Sequence, residues 1–580
     1  MERVREIGRG VEKKTMAQWA VLITYREVFG KEPTLAALHA VLQKYQRSEV
    51  VFLLGKLNCL LGTWQNAPNY DLDARLSRIL LWNQTGRVFA IRAADNNRVV
   101  FSRVTLLYLV KQACLACPED GLLLNTREAH SDIGLCCLMA NDLLLPFVPS
   151  PSDGTLQKLA NLLPFSDYVA HDHYPFDIAR TLVVFDEVSQ LQALRQRADF
   201  MDLSSLFQQY LGLSHTIFCA MIFGAATRFL NVKLEHLQDP EALVMRSTFF
   251  QKTGLKANTI AQFFQKTTID VPTLARRIQE DRERPKDDLT VFQQSPLIEI
   301  APAVYSCLDP GFLVDKAGRG FYWTMFFEIG DRGLRARLAS FWGDVFQEYV
   351  NYVLSKSYSA GGRFVPAPKF PNGDQAFDAC LIEGRSLIVF EHKSSTIRAD
   401  AKYGGDVSKL RNELHLKFVE GHDESAKGLA QLSRSLTRFL KGEDIGEIRN
   451  SEINKVYPVL VCLDSSVAVP YVGRYFNEQF SANFARKTVR QIVTPVFTLS
   501  ISDVENLLGY LASFGLSDIF ESYHSKNKTM LTSISSSEVP LLKNVQPGRN
   551  IVRERFSEFG RTIEKEFFGQ STSTQPKGAQ

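Results

Sequence analysis

The stretch Phe377–Ser394, FDACLIEGRSLIVFEHKS, decides the fold of the second half of the chain. It contains two short runs of apolar, β-forming residues, FDACLI and LIVFEHK, separated by the turn-like tetrad Glu383–Ser386. This pattern predicts a β-hairpin. Both faces of the hairpin are apolar beyond its acidic end, which is typical of strands in the middle of a sheet covered by helices. We therefore expect an α/β domain here.

The acidic end of this hairpin holds a carboxylate on each strand. Pairing across the turn places Asp378 directly opposite Glu391. Because successive strand side chains alternate between faces, Glu391 and Lys393 project on the same side as Asp378. Like charges opposed at this distance repel each other. A divalent cation between the two carboxylates would relieve the repulsion, and the lysine could contact an anion bound to that cation. The pattern suits a metal-dependent centre that cleaves phosphodiesters.

The order of Asp378, twelve intervening residues and Glu391-His392-Lys393 resembles the D…ExK signature of the PD-(D/E)XK, or restriction-endonuclease-like, nuclease superfamily. Upstream, residues 341–350, FWGDVFQEYV, are similar to the first core helix of that family, which carries a glutamate. Downstream, residues 427–432, KGLAQL, are similar to the helix that carries a glutamine in many such nucleases. The sequence departs from the strict signature at Phe377, where a proline is expected before the aspartate.

The resemblance implies an α/β nuclease domain with a mixed central sheet flanked by helices, and hydrolysis of nucleic acid with Mg²⁺ or Mn²⁺. Magnesium suits the site because the ligands are hard oxygens. The implied ligands are Asp378, Glu391, Glu348 and the main-chain carbonyl of His392, whose side chain points away from the site. The implied catalytic set is Asp378, Glu391, Lys393, Glu348 and Gln431.

A helix predicted from Ser425 to Lys441 follows the hairpin. One of its sides is apolar, and the other carries a cationic stripe with an inserted amide, formed by Lys427, Gln431, Arg434 and Arg438. Lys427, Arg434 and Arg438 are candidate contacts to a nucleic-acid backbone. The charged stretch 396–424 between hairpin and helix is expected to be either a mobile loop or an insertion beside the site.

The N-terminal half has a different pattern. Apolar residues recur at helical spacing in Val104–Ala113, Ile133–Leu144 and Leu203–Leu230, which predicts a mainly helical region. The charged run Ala275–Leu289 is expected to separate domains. The predicted division is a helical sensing or partner-binding region over 1–285, a nuclease domain over 286–535, and a C-terminal helix with a disordered tail over 536–580.

Composition limits the other possibilities. The chain has 580 residues, a net charge of only +4 and nine cysteines. An odd number of unevenly spaced cysteines favours a reducing compartment, and no signal peptide or membrane segment is apparent, so we expect a cytoplasmic location. Two metal-site alternatives are open but less favoured than core or surface roles: zinc at Cys114, Cys117, Cys136 and Cys137, and a site at His171-Asp172-His173.

These patterns together predict a Mg²⁺-dependent endonuclease, with DNA as the favoured substrate. A helical region ahead of a D…ExK domain resembles effectors of bacterial anti-phage defence, in which the first region would bind a protein partner or a second copy of the chain. The alternative is a non-catalytic scaffold that uses a nuclease-like domain only to bind nucleic acid or a partner.

Overall fold

The structure is a computed structural model that describes residues 21–62, 69–95, 97–144, 153–169, 174–230, 232–237, 239, 241–358, 361–421, 427–484, 492–534 and 537–563. The predicted motif His171-Asp172-His173 lies outside these residues. The helices before residue 330 are α1 Tyr25–Phe29, α2 Leu35–Leu42, α3 Arg47–Leu61, α4 Tyr70–Leu80, α5 Thr85–Ala94, α6 Arg103–Ala116, α7 Arg127–Leu144, α8 Thr155–Val169, α9 Tyr174–Asp186, α10 Gln192–Arg195, α11 Leu203–Leu211, α12 His215–Leu230, α13 Ala257–Thr267, α14 Val271–Glu280, α15 Thr290–Gln294, α16 Pro310–Asp315 and α17 Arg319–Glu328.

The helices of the second half are α18 Arg332–Ser357, α19 Ala399–Tyr403, α20 Val407–Leu414, α21 Leu429–Leu440, α22 Val472–Asn483, α23 Ile501–Leu507, α24 Leu516–Lys526 and α25 Ile551–Ile563. The strands are β1 Val21–Leu22, β2 Arg98–Val99, β3 Met245–Arg246, β4 Thr268–Asp270, β5 Leu297–Ala301, β6 Val304–Cys307, β7 Arg363–Pro366, β8 Ala379–Glu383, β9 Ser386–Lys393, β10 Lys455–Cys462, β11 Ile492–Val493 and β12 Phe497–Ser500.

The chain forms two compact units, and each is discontinuous in sequence. Unit 1 comprises Met1–Pro146, Ser204–Glu328 and Ser557–Gln580, and unit 2 comprises Phe147–Leu203 and Ile329–Phe556. Residues 147–203, which we expected within the N-terminal helical region, therefore belong to the same unit as the hairpin. Residues 286–328, which we expected in the nuclease domain, belong to unit 1.

Unit 1 is mainly helical and includes a small mixed sheet of order β3-β6-β5-β4. Helices α3, α6 and α7 supply many of its buried residues, among them Leu54, Leu107 and Cys136. The buried Asp73 carboxylate accepts the backbone N–H groups of Val100 and Phe101. The helical character predicted for most of the N-terminal half is thus confirmed.

Unit 2 contains a mixed sheet of order β11-β10-β9-β8-β7, with β12 also paired to β10. Strands β7, β8 and β9 are antiparallel neighbours, whereas β9, β10 and β12 run parallel. On one face, Val389 and Leu460 pack with Leu432 and Leu436 of α21. Helix α18 also packs against β9. The predicted mixed sheet flanked by helices is confirmed at this level.

The predicted hairpin forms with its predicted pairs, since Cys380 lies opposite Val389 and Ile382 opposite Leu387. Its turn is tighter than the predicted tetrad, because Glu383 still pairs with Ser386 and only two residues connect the strands. The first of these, Gly384, has φ +57°, a conformation that glycine adopts without the steric cost of a side chain.

Two local predictions are corrected. The apolar run Leu203–Leu230 is two helices, α11 and α12, because Gly212 at φ +77° ends the first. The stretch 396–421 is mostly helical and held by ion pairs, so it does not form the mobile loop that was one of the two expectations.

Among the described residues, no single helix has the length and apolar character needed to cross a membrane. The pair α11 and α12, bent by 63° at its break, meets that test only when both helices are taken together.

Candidate active site

The site lies at the end of the hairpin remote from its turn. The backbone N–H of Asp378 donates to the carbonyl of Phe390 at 3.1 Å, which continues the β8–β9 register by one residue. Asp378 therefore lies across from Glu391, as the sequence predicts. Both residues are buried, with 8% and 1% of their surfaces exposed. Two carboxylates are thus brought together in a region from which water is largely excluded.

Lys393 completes the group. Its Nζ lies 2.7 Å from Oε1 of Glu391, and its side chain is only 17% exposed. The ion pair shows that Glu391 and Lys393 project on the same face of β9. On the neighbouring parallel strand β10, Leu460 and Cys462 lie in register with these two residues. The three charged side chains therefore share one face of the sheet.

The pKa values of Asp378, Glu391 and Lys393 are all shifted by burial and by one another. Burial, followed by repulsion from Asp378, raises the pKa of Glu391 to about 7, although Lys393 and a backbone N–H act in the opposite direction. Burial also raises the pKa of Asp378. The pKa of Lys393 is raised by the two carboxylates despite its burial. A single ammonium group thus leaves the two carboxylates incompletely compensated.

Backbone and amide donors hold the carboxylates in place. Oδ2 of Asp378 accepts the backbone N–H of His392 at 2.7 Å, and its Oδ1 accepts Nε2 of Gln375 at 3.0 Å. Oε1 of Glu391 also accepts the backbone N–H of Gly428, the residue before α21, at 3.2 Å. No role for Gln375 or for the Gly428 N–H was predicted from the sequence. Only Gly428 lay within a recognised motif.

The His392 ring is buried, and within the described residues neither ring nitrogen has a hydrogen-bond partner. Burial lowers the pKa of this imidazole to about 3, so the ring is neutral at physiological pH. The ring also contacts that of Phe390, two residues earlier on β9. These contacts agree with the prediction that the His392 side chain points away from the acidic pair.

Glu348 lies on α18, where it is half-buried. Burial, and then the nearby Asp344 carboxylate, raises its pKa. Asp344 itself is 2.9 Å from Arg197. Within the described residues, the structure gives Glu348 no hydrogen bond or ion pair with Asp378 or Glu391. Gly343, about one turn earlier on the helix, lies beside Ser394, where an added Cβ would be 3.6 Å from the hydroxyl. The helix therefore passes the end of β9.

The predicted cationic stripe on α21 divides into exposed and paired residues. Lys427 and Arg434 are exposed, and Gln431, in the first turn of the helix, is partly buried. Arg438 is paired with Asp374 at 3.0 Å and with Glu443 at 2.6 Å. The helix begins at Leu429 instead of the predicted Ser425, which lies outside the described residues. Lys427 directly precedes Gly428, whose backbone N–H contacts Glu391, whereas Arg438 is held by two carboxylates farther along the helix.

A divalent cation fits the chemistry of the acidic pair. Oε2 of Glu391 is buried and has no hydrogen-bond partner among the described residues, so one carboxylate oxygen remains available. The part of the chain that the structure describes contains no group of three or more His, Cys, Asp or Glu side chains arranged to hold a metal. Magnesium is commonly bound by one or two carboxylates together with water and substrate phosphates. Asp378 and Glu391 would be those two carboxylates.

The four cysteines of the alternative zinc site are all buried thiols. Burial raises the pKa of Cys114, of Cys117 and of Cys137 to about 12. Within the described residues, these thiols do not form a group of three or more side chains arranged to hold a metal.

No family model matches the chain, and comparisons with curated proteins and with solved structures give no match.

Proposed function

We propose that the chain is a metal-dependent nuclease that hydrolyses phosphodiester bonds of nucleic acid, with DNA as the favoured substrate. The observation that carries the proposal is the convergence of Asp378, Glu391 and Lys393 on one buried face of a mixed sheet. An effector role in bacterial anti-phage defence, acting in the cytoplasm, is part of the same proposal and rests on the order of a helical region before the D…ExK residues.

The chemistry follows from charge. A divalent cation, when bound, would neutralise the negative charge on the scissile phosphate and lower the pKa of a coordinated water. Asp378 and Glu391 would hold that cation, and their low exposure keeps the surrounding dielectric low, which strengthens each electrostatic contact. Lys393 would turn from Glu391 toward the phosphate and stabilise the charge that develops there. The exposed Lys427 and Arg434 would contact the nucleic-acid backbone nearby.

The test is a cleavage assay on double- and single-stranded DNA and RNA with Mg²⁺, with Mn²⁺ and with chelator. We expect divalent-dependent cleavage by the natural chain. Asp378→Asn and Lys393→Met are expected to reduce it by about 100-fold or more, because each removes a group that acts on the reacting phosphate.

The control variant is Glu447→Gln, which removes an exposed carboxylate of the same unit that pairs with Arg363 on the surface. It should cleave like the natural chain. Thermal unfolding of every variant establishes that loss of activity is not loss of folding. Undiminished cleavage by folded Asp378→Asn and Lys393→Met proteins would reject the proposal.

One observation favours the alternative, a non-catalytic nucleic-acid-binding or partner-binding scaffold. Lys393 already neutralises one carboxylate at 2.7 Å, as in a structural ion pair that needs no metal. A ligand that binds only the folded state raises its stability. Mg²⁺ or Mn²⁺ should therefore raise the melting temperature of the natural chain, and not of Asp378→Asn, if the site is a metal site. No shift together with no cleavage favours the scaffold.

A further inference from the structure

Gln375 lies three residues before Asp378, in the connection between β7 and β8. Its Nε2 donates to Oδ1 of Asp378 at 3.0 Å and to the carbonyl of Phe377 at 3.1 Å. The residue is largely exposed, whereas the carboxylate that it contacts is buried. One amide therefore reaches in from the surface and restrains the rotation of the Asp378 carboxylate.

The segment that carries Gln375 is a tight turn. The backbone N–H of Phe370 donates to the carbonyl of Asp374 at 2.8 Å, and that of Gly373 donates to the carbonyl of Phe370 at 2.9 Å. Gly373 has φ +89°, a conformation that favours glycine. The backbone N–H of Ala376 donates to the carbonyl of Pro368 and closes the base of the turn.

Arg438 of α21 anchors this turn. Its guanidinium lies 3.9 Å from the centre of the Phe370 ring, and its Nη1 is 3.0 Å from Oδ2 of Asp374. The Phe370 ring is buried, so the guanidinium covers a side chain that belongs to the core of the unit. A planar cation stacked on a ring and paired with a carboxylate fixes position more strictly than a lysine would. The cationic stripe of α21 thus supplies one residue to the turn.

We propose that Gln375 is a positioning residue that holds Asp378 in the orientation needed to bind a divalent cation, and that Arg438 maintains this arrangement by anchoring the turn. The proposal rests on the proposed metal-dependent function and assigns Arg438 to the site's support instead of to the nucleic-acid backbone. Ligating carboxylates are commonly held by outer hydrogen bonds, and loss of such a partner lowers metal affinity or activity by about 10-fold to 100-fold.

The experiment measures Mn²⁺ affinity by calorimetry, and cleavage as a function of Mn²⁺ concentration, for the natural chain and for Gln375→Met. Methionine keeps the length of the side chain and removes the N–H donor. We expect Mn²⁺ affinity to fall about 10-fold or more, and cleavage at limiting Mn²⁺ to fall with it. Excess Mn²⁺ should restore the maximal rate, a recovery that damage to the fold would not permit. The melting temperature without metal should remain unchanged.

Gln294→Met is the matched control, because Gln294 is an exposed glutamine of unit 1. Its Mn²⁺ affinity should equal that of the natural chain. Arg438→Met separates the two roles of the arginine: weaker Mn²⁺ binding with an unchanged KM for nucleic acid supports the anchor. A raised KM with unchanged Mn²⁺ affinity overturns that part of the proposal.

The outcomes distinguish the inference from the proposed function. If the natural chain binds Mn²⁺ and cleaves, but Gln375→Met retains both its affinity and its dependence on Mn²⁺, the positioning role is wrong and the nuclease stands. If the natural chain neither binds Mn²⁺ nor cleaves, the proposed function fails and the inference fails with it.

Discussion

Opposing electrostatic effects act on the pKa of the Glu391 carboxyl group. Burial and the neighbouring Asp378 favour its protonated form, while Lys393 and the Gly428 N–H favour its ionised form. Burial and Asp378 have the larger effect, and the pKa of Glu391 therefore lies above that of a solvated glutamate. Glu391 therefore stabilises the fold less as its proton is lost.

The pH dependence of stability provides a test at this scale. The pKa of Glu391 is about 7 in the folded chain and 4.5 as its ordinary value, so the folded state binds more protons between those pH values. Its contribution to stability is therefore present below about pH 4.5 and is lost as pH rises to about 7. Relative to the natural chain, Glu391→Gln should gain free energy of unfolding across this window, by up to about 3 kcal/mol.

Chemical denaturation from pH 4.5 to 8, without metal, measures this difference. Adding Mg²⁺ at pH 7.5 should reduce it, because the cation stabilises only the natural chain. A difference that is independent of pH would contradict the assignment of the raised pKa to Glu391.

At the scale of the element, α21 supports both carboxylates from its two ends. Gly428, at its N-terminus, donates to Glu391, and Arg438, in its last turn, anchors the turn that reaches Asp378. The approach of Gly428 is close: φ is +61° and ψ −132°, and an added Cβ would lie 2.2 Å from the carbonyl oxygen of Phe418. Glycine is required here by conformation and by space.

Gly428→Ala is therefore expected to destabilise the chain by more than about 2 kcal/mol, and to reduce cleavage, since the contact to Glu391 would be displaced. The control is Gly405→Ala. Gly405 has φ +65°, and an added Cβ would meet nothing within 4 Å, so only conformational strain of about 1 kcal/mol is expected. Denaturant unfolding measures both. Equal losses in the two variants would show that the Phe418 contact has no effect.

At the scale of the whole molecule, unit 2 is assembled from segments far apart in sequence. Arg180 of α9 forms a bidentate pair with Glu505 of α23, at 2.7 and 2.8 Å, and lies 2.9 Å from Asp177. The hydroxyl of Tyr349 on α18 donates to the same glutamate. All four residues are buried. Since Arg180 faces two carboxylates, its removal would leave buried charge without compensation.

Arg180→Met should accordingly destabilise unit 2 by about 3–5 kcal/mol. Arg197→Met is the comparison, since Arg197 is exposed and its pairs with Asp199 and Asp344 lie near the surface. Exposed pairs of this kind contribute about 1 kcal/mol or less. The free energy of unfolding by denaturant tests both expectations, and similar losses in the two variants would contradict the central role of Arg180.

The sequence by itself determined the hairpin, its register and the common face of Asp378, Glu391 and Lys393. The physical reason is that strand alternation and a short turn act over a few neighbouring residues. The same is true of most helices, whose apolar spacing is local. Local sequence determines the helix ends less completely, as at α21, which begins at Leu429 instead of the predicted Ser425.

Only the tertiary structure decided how the carboxylates are held and how the chain divides into units. The Gly428 N–H, the Gln375 amide and the Arg438 anchor act between residues whose spacing in sequence follows no period. Composition also does not predict that residues 204–328 are inserted between the two parts of unit 2. The reason is that buried partners such as Arg180 and Glu505 are brought together by packing, although they are far apart in the chain.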